Sequence, residues 1–249
     1  MTADRWAQVV RKQLGLGRLL PLGLSRDGAW ITESAADAVL RRAATTVDGV
    51  RLGALRIALA DPDGPYASAV PAPPSGLAPG PLRVTAEFGA AADPAAPGAD
   101  SLPATAERLR LALSAAATQR LGLDVSEVDL QVTDLLTDAQ LTSRKDEQGE
   151  REGVAPEEPK VPDGPEEARI AAVVRGVAGV TRLTDALGRS VDIGTPATAE
   201  SAVPRRHVRV ELAVSAGFRA VEVARAVRAA VAEAARDTPS VAVLVTAVG

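Results

Sequence analysis

The chain has no cysteine, which excludes disulfides, thiolate metal sites and a cysteine nucleophile. It has one histidine, His207, so a two-histidine metal centre is excluded as well. Asparagine is absent, removing N-glycosylation and Asn-to-adenine readout. Five aromatic residues, Trp6, Trp30, Tyr66, Phe88 and Phe218, are spread over 249 positions. They are too few and too scattered to build a stacking platform for single-stranded nucleic acid. A basic excess is also missing: the formal net charge is −4, against the positive surface that phosphate-driven affinity requires. No apolar run is long enough to cross a bilayer, and no continuous apolar h-region follows the N-terminal basic residues. The expected location is therefore the cytoplasm. Neither a Gly-x-Ser-x-Gly elbow nor a full phosphate-binding glycine loop occurs; Gly15-Leu16-Gly17 lacks the third glycine and a preceding strand. The sequence thus predicts no catalytic residue, no metal, no cofactor and no small-molecule substrate.

What the chain does have is order. Residues 144–167 are dominated by Asp and Glu with interspersed Pro and Gly, and such a stretch cannot bury enough apolar surface to offset its ordering entropy. It divides the chain. Before it, Ala36, Val39, Leu40, Ala43 and Val47 recur at helical spacing, with Thr32 or Ser34 as N-cap and Gly49 as the stop. Alternation at Leu55, Ile57 and Leu59, and again at Leu82, Val84, Ala86 and Phe88, marks strands with one buried face. Leu102, Ala106, Leu109, Leu113, Ala117 and Leu121 stripe a second helix, and Val128, Leu130 and Val132 alternate in a closing strand. Two Pro/Gly-rich stretches, Asp61 to Pro81 and Gly89 to Ser101, read as long loops.

The second half replays that order. Ile170, Val173, Val174 and Val177 form a helical stripe ending at Gly179; Val191 and Ile193 suggest a weak strand; Val208, Val210, Leu212 and Val214 alternate; Val221, Ala224, Val227 and Val231 stripe a helix; Val241, Val243 and Val245 close the unit. The fold class expected is α+β, as two tandem two-layer α/β sandwich units, each a small mixed sheet covered by two helices. The boundaries are an N-terminal basic amphipathic segment at 1–30, a first unit at 31–143, the acidic linker at 144–167 and a shorter second unit at 168–249.

These positions carry a resemblance. Ile31-Thr32-Glu33-Ser34 before the first helix, the Val47-Asp48-Gly49-Val50 stop, the strand Leu82 to Phe88, the helix Leu102 to Leu121 and the approach Val125-Ser126-Glu127-Val128-Asp129-Leu130 together resemble the alkaline shock protein family, the Gls-like envelope-stress proteins of bacteria. The resemblance covers about 31–136 and extends to 168–248, where the first strand is shortened and the Ile-Thr-Glu-Ser segment has no counterpart. It implies a non-enzymatic cytoplasmic protein acting at the inner face of the membrane through partners or self-association, in envelope homeostasis or stress.

Two surfaces are candidates for contact. Arg5 to Leu20 has helical spacing that places Trp6, Val10 and Leu14 on one side and Arg11 and Lys12 elsewhere, suiting a membrane interface or a partner groove. Its plain structural role would be to pack on the neighbouring sheet. Arg205, Arg206 and Arg209, with Arg225 and Arg228 on the following helix, could assemble a basic face for anionic lipid, an acidic partner or RNA. The plainer reading is a solvated face of weak ion pairs. A protein partner or self-association is expected, peripheral membrane contact is compatible, and nucleic acid is disfavoured. A nucleic-acid-associated regulator on a small α/β sandwich is the alternative, resting on fold analogy alone.

Overall fold

The computed structural model describes residues 15–91, 101–136, 164–194, 206–235 and 237–249. In chain order these form β1 (Leu19–Pro21), β2 (Ala29–Thr32), α1 (Glu33–Ala44), β3 (Val50–Leu59), β4 (Leu82–Ala91), α2 (Leu102–Ala115) continued by a π-helical turn (Ala116–Leu121), β5 (Val125–Leu136), α3 (Pro165–Arg175), β6 (Val180–Leu183), β7 (Val191–Gly194), β8 (His207–Val214), α4 (Ala220–Ala234) and β9 (Ser240–Val248). The class is α+β, with two mixed sheets and helices packed against them.

One sheet runs β3-β4-β5, with β3 antiparallel and β5 parallel to β4. The other runs β1-β2-β9-β8-β6, with β7 also on β8. Here β6 and β7 pair antiparallel with successive stretches of β8, Val214 to Leu212 and then Val210 to His207. They occupy end to end the place that the single ten-residue β3 holds beside β4. The helices α2 and α4 each span the crossover between the parallel pair of their sheet, β4 to β5 and β8 to β9, as short parallel connections demand.

Local chemistry starts the first helix where the sequence places it. Thr32 is the N-cap, its Oγ1 accepting the Ala35 amide at 3.3 Å; the same hydroxyl donates to the Thr246 carbonyl at 3.3 Å, so the cap also fastens α1 to β9. Glu33 then holds Arg18, whose guanidinium reaches the Ile57 carbonyl at 2.5 Å. In α3, Pro165 takes the first turn, where a missing N–H costs nothing. That start lies within the stretch the sequence assigns to the tether, and the helix recruits Glu166 and Glu167 as its acidic first turn.

Residues 19–32 behave differently from the sequence expectation. The helical spacing that runs to Leu20 does not persist: Leu19, Leu20 and Pro21 are fully buried in strand β1, which pairs antiparallel with β2. In turn β2 lies parallel to β9, Ala29 beside Val243 and Ile31 beside Val245. The hairpin that precedes α1 thus extends the sheet built by the C-terminal half. As a result the inner faces of both sheets and the apolar stripes of α1 to α4 fall into one connected cluster, from Ile57, Val84 and Phe88 through Leu40, Leu113 and Val174 to Val210, Val227 and Val243.

The Asp61–Pro81 loop covers the opposite face of the larger sheet. Val70 packs with Leu19, Trp30, Ala242 and Leu244 in a second, smaller cluster, the Trp30 indole donates to the Leu77 carbonyl at 3.1 Å, and the Leu77 amide donates to the Leu19 carbonyl at 2.8 Å. The prolines pre-pay part of the ordering entropy that a loop of this length costs.

Gly122 marks a close approach of the two halves. It ends the π-helical turn at φ 89°, and a Cβ there would stand 2.2 Å from Val221 Cγ1 on α4; its carbonyl accepts the Gly23 amide at 3.0 Å. We expect Gly122→Ala to lose roughly 2–4 kcal/mol in urea unfolding, from left-handed strain and overpacking together. Gly188→Ala, at φ 107° with open space around it, should lose only about 1 kcal/mol.

Candidate functional site

The expected basic face separates into pairs. Arg206 lies 2.5 Å from Glu166 on α3 and 3.5 Å from Asp237. Arg209 lies 3.2 Å from Asp192 on β7 and 3.5 Å from Glu211. Arg225 forks onto Asp27, Nε to Oδ1 at 3.0 Å and Nη2 to Oδ2 at 2.8 Å, and also meets Glu222. Arg228 donates to the Arg26 carbonyl. Since Val208 and Val210 face the helix-side core, Arg209 between them projects from the other face of the sheet, away from Arg225 and Arg228 on α4. The structure therefore does not bring Arg209 together with the α4 arginines, and each of the four has a partner within the chain. Arg205 lies outside the described residues, as do Trp6, Val10, Arg11, Lys12 and Leu14.

Two acidic residues left unremarked by the sequence reading hold prominent places. Asp27, in the β1–β2 turn, is buried and accepts the Leu24 amide at 2.8 Å as well as the Arg225 fork. Burial alone would raise its carboxyl, but the Arg225 hydrogen bond and the Leu24 amide outweigh it and hold the group below its ordinary range. The second, Glu211, is 0% exposed in mid-β8, beside Leu244 of β9. The 184–190 segment joining β6 to β7 folds over it: Thr184 N donates to the Glu211 carbonyl at 3.0 Å, Glu211 N donates to the Ser190 carbonyl at 2.9 Å, and the Leu187 amide donates to Oε2 at 2.9 Å. The second oxygen, Oε1, and the Arg209 Nε opposite it are buried without a hydrogen bond. Desolvation pushes the Glu211 carboxyl up to about 7, against the Leu187 amide and Arg209, which favour the ionised form. The sequence signal was there: Arg209 and Glu211 interrupt a valine-rich strand at positions sharing one face.

His207 is half-buried at the start of β8, its Nδ1 2.8 Å from Ser240 Oγ. Burial and the neighbouring Arg209 hold it below the ordinary imidazole value. Among the described residues, no group of three or more His, Asp or Glu is arranged to hold a metal ion, and no helix is long and apolar enough to cross a membrane.

The smaller sheet presents a different kind of surface. Along β4, Leu82, Val84, Ala86 and Phe88 are buried while Arg83, Thr85 and Glu87 are exposed, so its outer face is polar. Arg83 bridges to Glu127 and Asp129 on β5, and Arg51 to Asp134. Among the described residues, strand β5 is the last of its sheet and pairs only with β4. Val132 is 42% and Leu135 60% exposed on it, and Leu111 on the overlying α2 is 61% exposed. From α2, Arg110 donates to the Val128 carbonyl at 3.2 Å. That bond is a local guard on a strand edge whose backbone groups otherwise face outward. Here the structure gathers exposed apolar side chains, an unpaired ladder and a charged guard.

In comparison with known proteins, no protein-family model and no curated protein matches this chain.

The Glu211 carboxyl carries a pH dependence of defined sign. Its folded value, about 7, lies above its unfolded value near 4.5, so the native state binds the extra proton and stability falls as pH rises between them. The penalty is fully present above pH 7 and amounts to about 3 kcal/mol. His207, lowered, acts in the opposite sense below pH 6.5. Comparison with Glu211→Gln isolates the carboxyl: in urea melts the variant should gain on the parent from pH 5 to pH 8. An equal difference at both pH values would contradict the assignment.

Proposed function

We propose that the protein is a non-catalytic interaction protein that works through the open edge and flank of its smaller sheet, built from two diverged copies of one strand–helix unit. The single observation carrying the interaction reading is the asymmetry of the two sheets. The larger is closed on its second face by the 61–81 loop and the 184–190 segment, whereas among the described residues β5 keeps a free edge that carries exposed Val132 and Leu135. Exposed apolar groups beside an unpaired strand suit strand addition or a helix-flanked contact.

Duplication is supported by the matching strand order and polarity. The series β3-β4-β5 and the series β6/β7-β8-β9 both have an antiparallel first pair and a parallel second pair. Both begin after a helix whose exit turn holds a left-handed glycine, Gly49 and Gly179. The shared core makes the two copies one body rather than beads on a tether.

Membership of the alkaline shock type, a cytoplasmic scaffold at the inner face of the membrane in envelope homeostasis or stress, is proposed on the sequence resemblance. The pairing of Arg206, Arg209 and Arg225 with carboxylates favours this reading over a nucleic-acid-associated regulator, because neutralised arginines attract phosphate weakly. Capture from cells after in-cell crosslinking tests the reading, using the parent and a Val132→Lys, Leu135→Lys variant. Loss of a specific captured protein from the variant is expected. An identical set from both would overturn the β5 assignment, and strongly salt-dependent RNA binding by the parent would favour the regulator.

A further inference from the structure

We infer that the partner of the β5 edge is β5 of a second copy, paired antiparallel about a two-fold axis through Leu130 to join two three-stranded sheets into one of six. The inference rests on the interaction reading above and specifies its occupant.

Direction comes first. Pro81 bonds to Ala60 after β3 and Leu82 to Asp124 before β5, so Val84 and Ala86 turn their backbone groups to β5; Val128, directly opposite Val84 in this parallel pair, therefore points its own away from β4, where Arg110 takes its carbonyl. By the two-residue repeat of a strand, those of Leu130 and Val132 do too. An antiparallel partner must therefore bond to these even-numbered residues, which restricts the register.

Charge then selects among the allowed registers. The strand carries Glu127, Asp129 and Asp134 and no basic residue. A two-fold centred on Asp129 would set that carboxylate against its own copy. Centred on Leu130, Asp129 faces the neutral Gln131 instead, within the regular Glu127–Val132 stretch between the two register shifts of β5. On the other face Val128 meets Val132 and Leu130 meets itself, giving the β-branched and apolar cross-strand pairs that stabilise sheets.

The flank agrees. Glu107 and Arg110 lie on the side of α2 that reaches the β5 edge, since Arg110 does so directly and Glu107 is its i,i+3 partner. The two-fold brings these side chains of both copies over the joined strands. There Arg110, on yielding the Val128 carbonyl to the incoming Val132 amide, finds Glu107 of the partner as well as its own. The same contact accounts for the exposure of Val132. The need to displace Arg110 makes the association reversible.

Sedimentation equilibrium of the full chain, its Gln131→Glu and Gln131→Lys variants, and single-cysteine variants with a short bis-thiol crosslinker test the inference. Position 131 faces Asp129 twice in the dimer, so Gln131→Glu should weaken association about tenfold and Gln131→Lys should strengthen it comparably. The chain's lack of cysteine makes Leu130→Cys a clean probe: its two copies lie about 5.5 Å apart at Cα and should crosslink. The Ser126→Cys copies, eight residues out of register and about 27 Å apart, should not. Thermal melts confirm that each variant is folded. A dimer indifferent to position 131, or crosslinked equally from 126 and 130, would overturn the register. A parent that stays monomeric while capture of another protein still depends on β5 would overturn self-pairing and leave the interaction reading standing. A monomer that captures nothing would overturn both.

Discussion

The pairing of β2 with β9 is the constraint from which the remaining architecture follows. It sets Ala29 beside Val243 and Ile31 beside Val245, so a hairpin before the first helix is completed only by the last strand of the chain. Once β2 is fixed there, α1 must start against β9, and Thr32 serves both as its cap and as a donor to Thr246. The Asp27–Arg225 fork pins the turn of the same hairpin to α4. Its carboxyl is held ionised by that guanidinium despite burial, so removing Arg225 strands the Asp27 carboxylate in a poorly solvated place. Gly122 closes the remaining gap, allowing the π-helical turn to meet Val221 at a distance that no side chain would permit.

The two sheets then take different fates. Each has a helix face within the common core, but the second face of the larger is closed by loops inserted at different points in the chain. One is the proline-rich 61–81 stretch, held through Trp30 and Leu77; the other is the 184–190 segment, stapled through Glu211. Among the described residues the smaller sheet has neither cover. Its outer face relies on charge, with Arg83 bridging Glu127 and Asp129, and its edge on Arg110. The proposed interaction calls for one open surface on a body with a shared core, and this division is consistent with it.

Much of the local structure was legible because burial imposes simple periods. The stripes of α1, α2 and α4 and the alternation of β4 and β8 follow directly from one apolar face each. The residues around Leu19 were harder: a short apolar run flanked by glycine and proline satisfies a helix or a buried strand equally, and only its distant partner β9 decides. The weak Val191–Ile193 alternation marked β7, but β6 at Val180–Leu183 is too short to show a period, and the role of the segment between them depends on a carboxylate that only the fold buries. The basic face failed to assemble for a related reason. Composition places Arg209 near Arg225 in sequence, whereas strand alternation sends them to opposite sides of the sheet.

The account's central claim is that the two halves are one cooperative body held through β2 and β9. Native-state hydrogen exchange in increasing urea tests it most directly, by comparing core amides of β4, such as Val84 and Phe88, with those of β8 and β9, such as Val210 and Val243. The account predicts that all four converge on one global opening with a common free energy and urea slope. Two separate openings, with the β3-β4-β5 sheet releasing its protons while β8 and β9 remain protected, would contradict it.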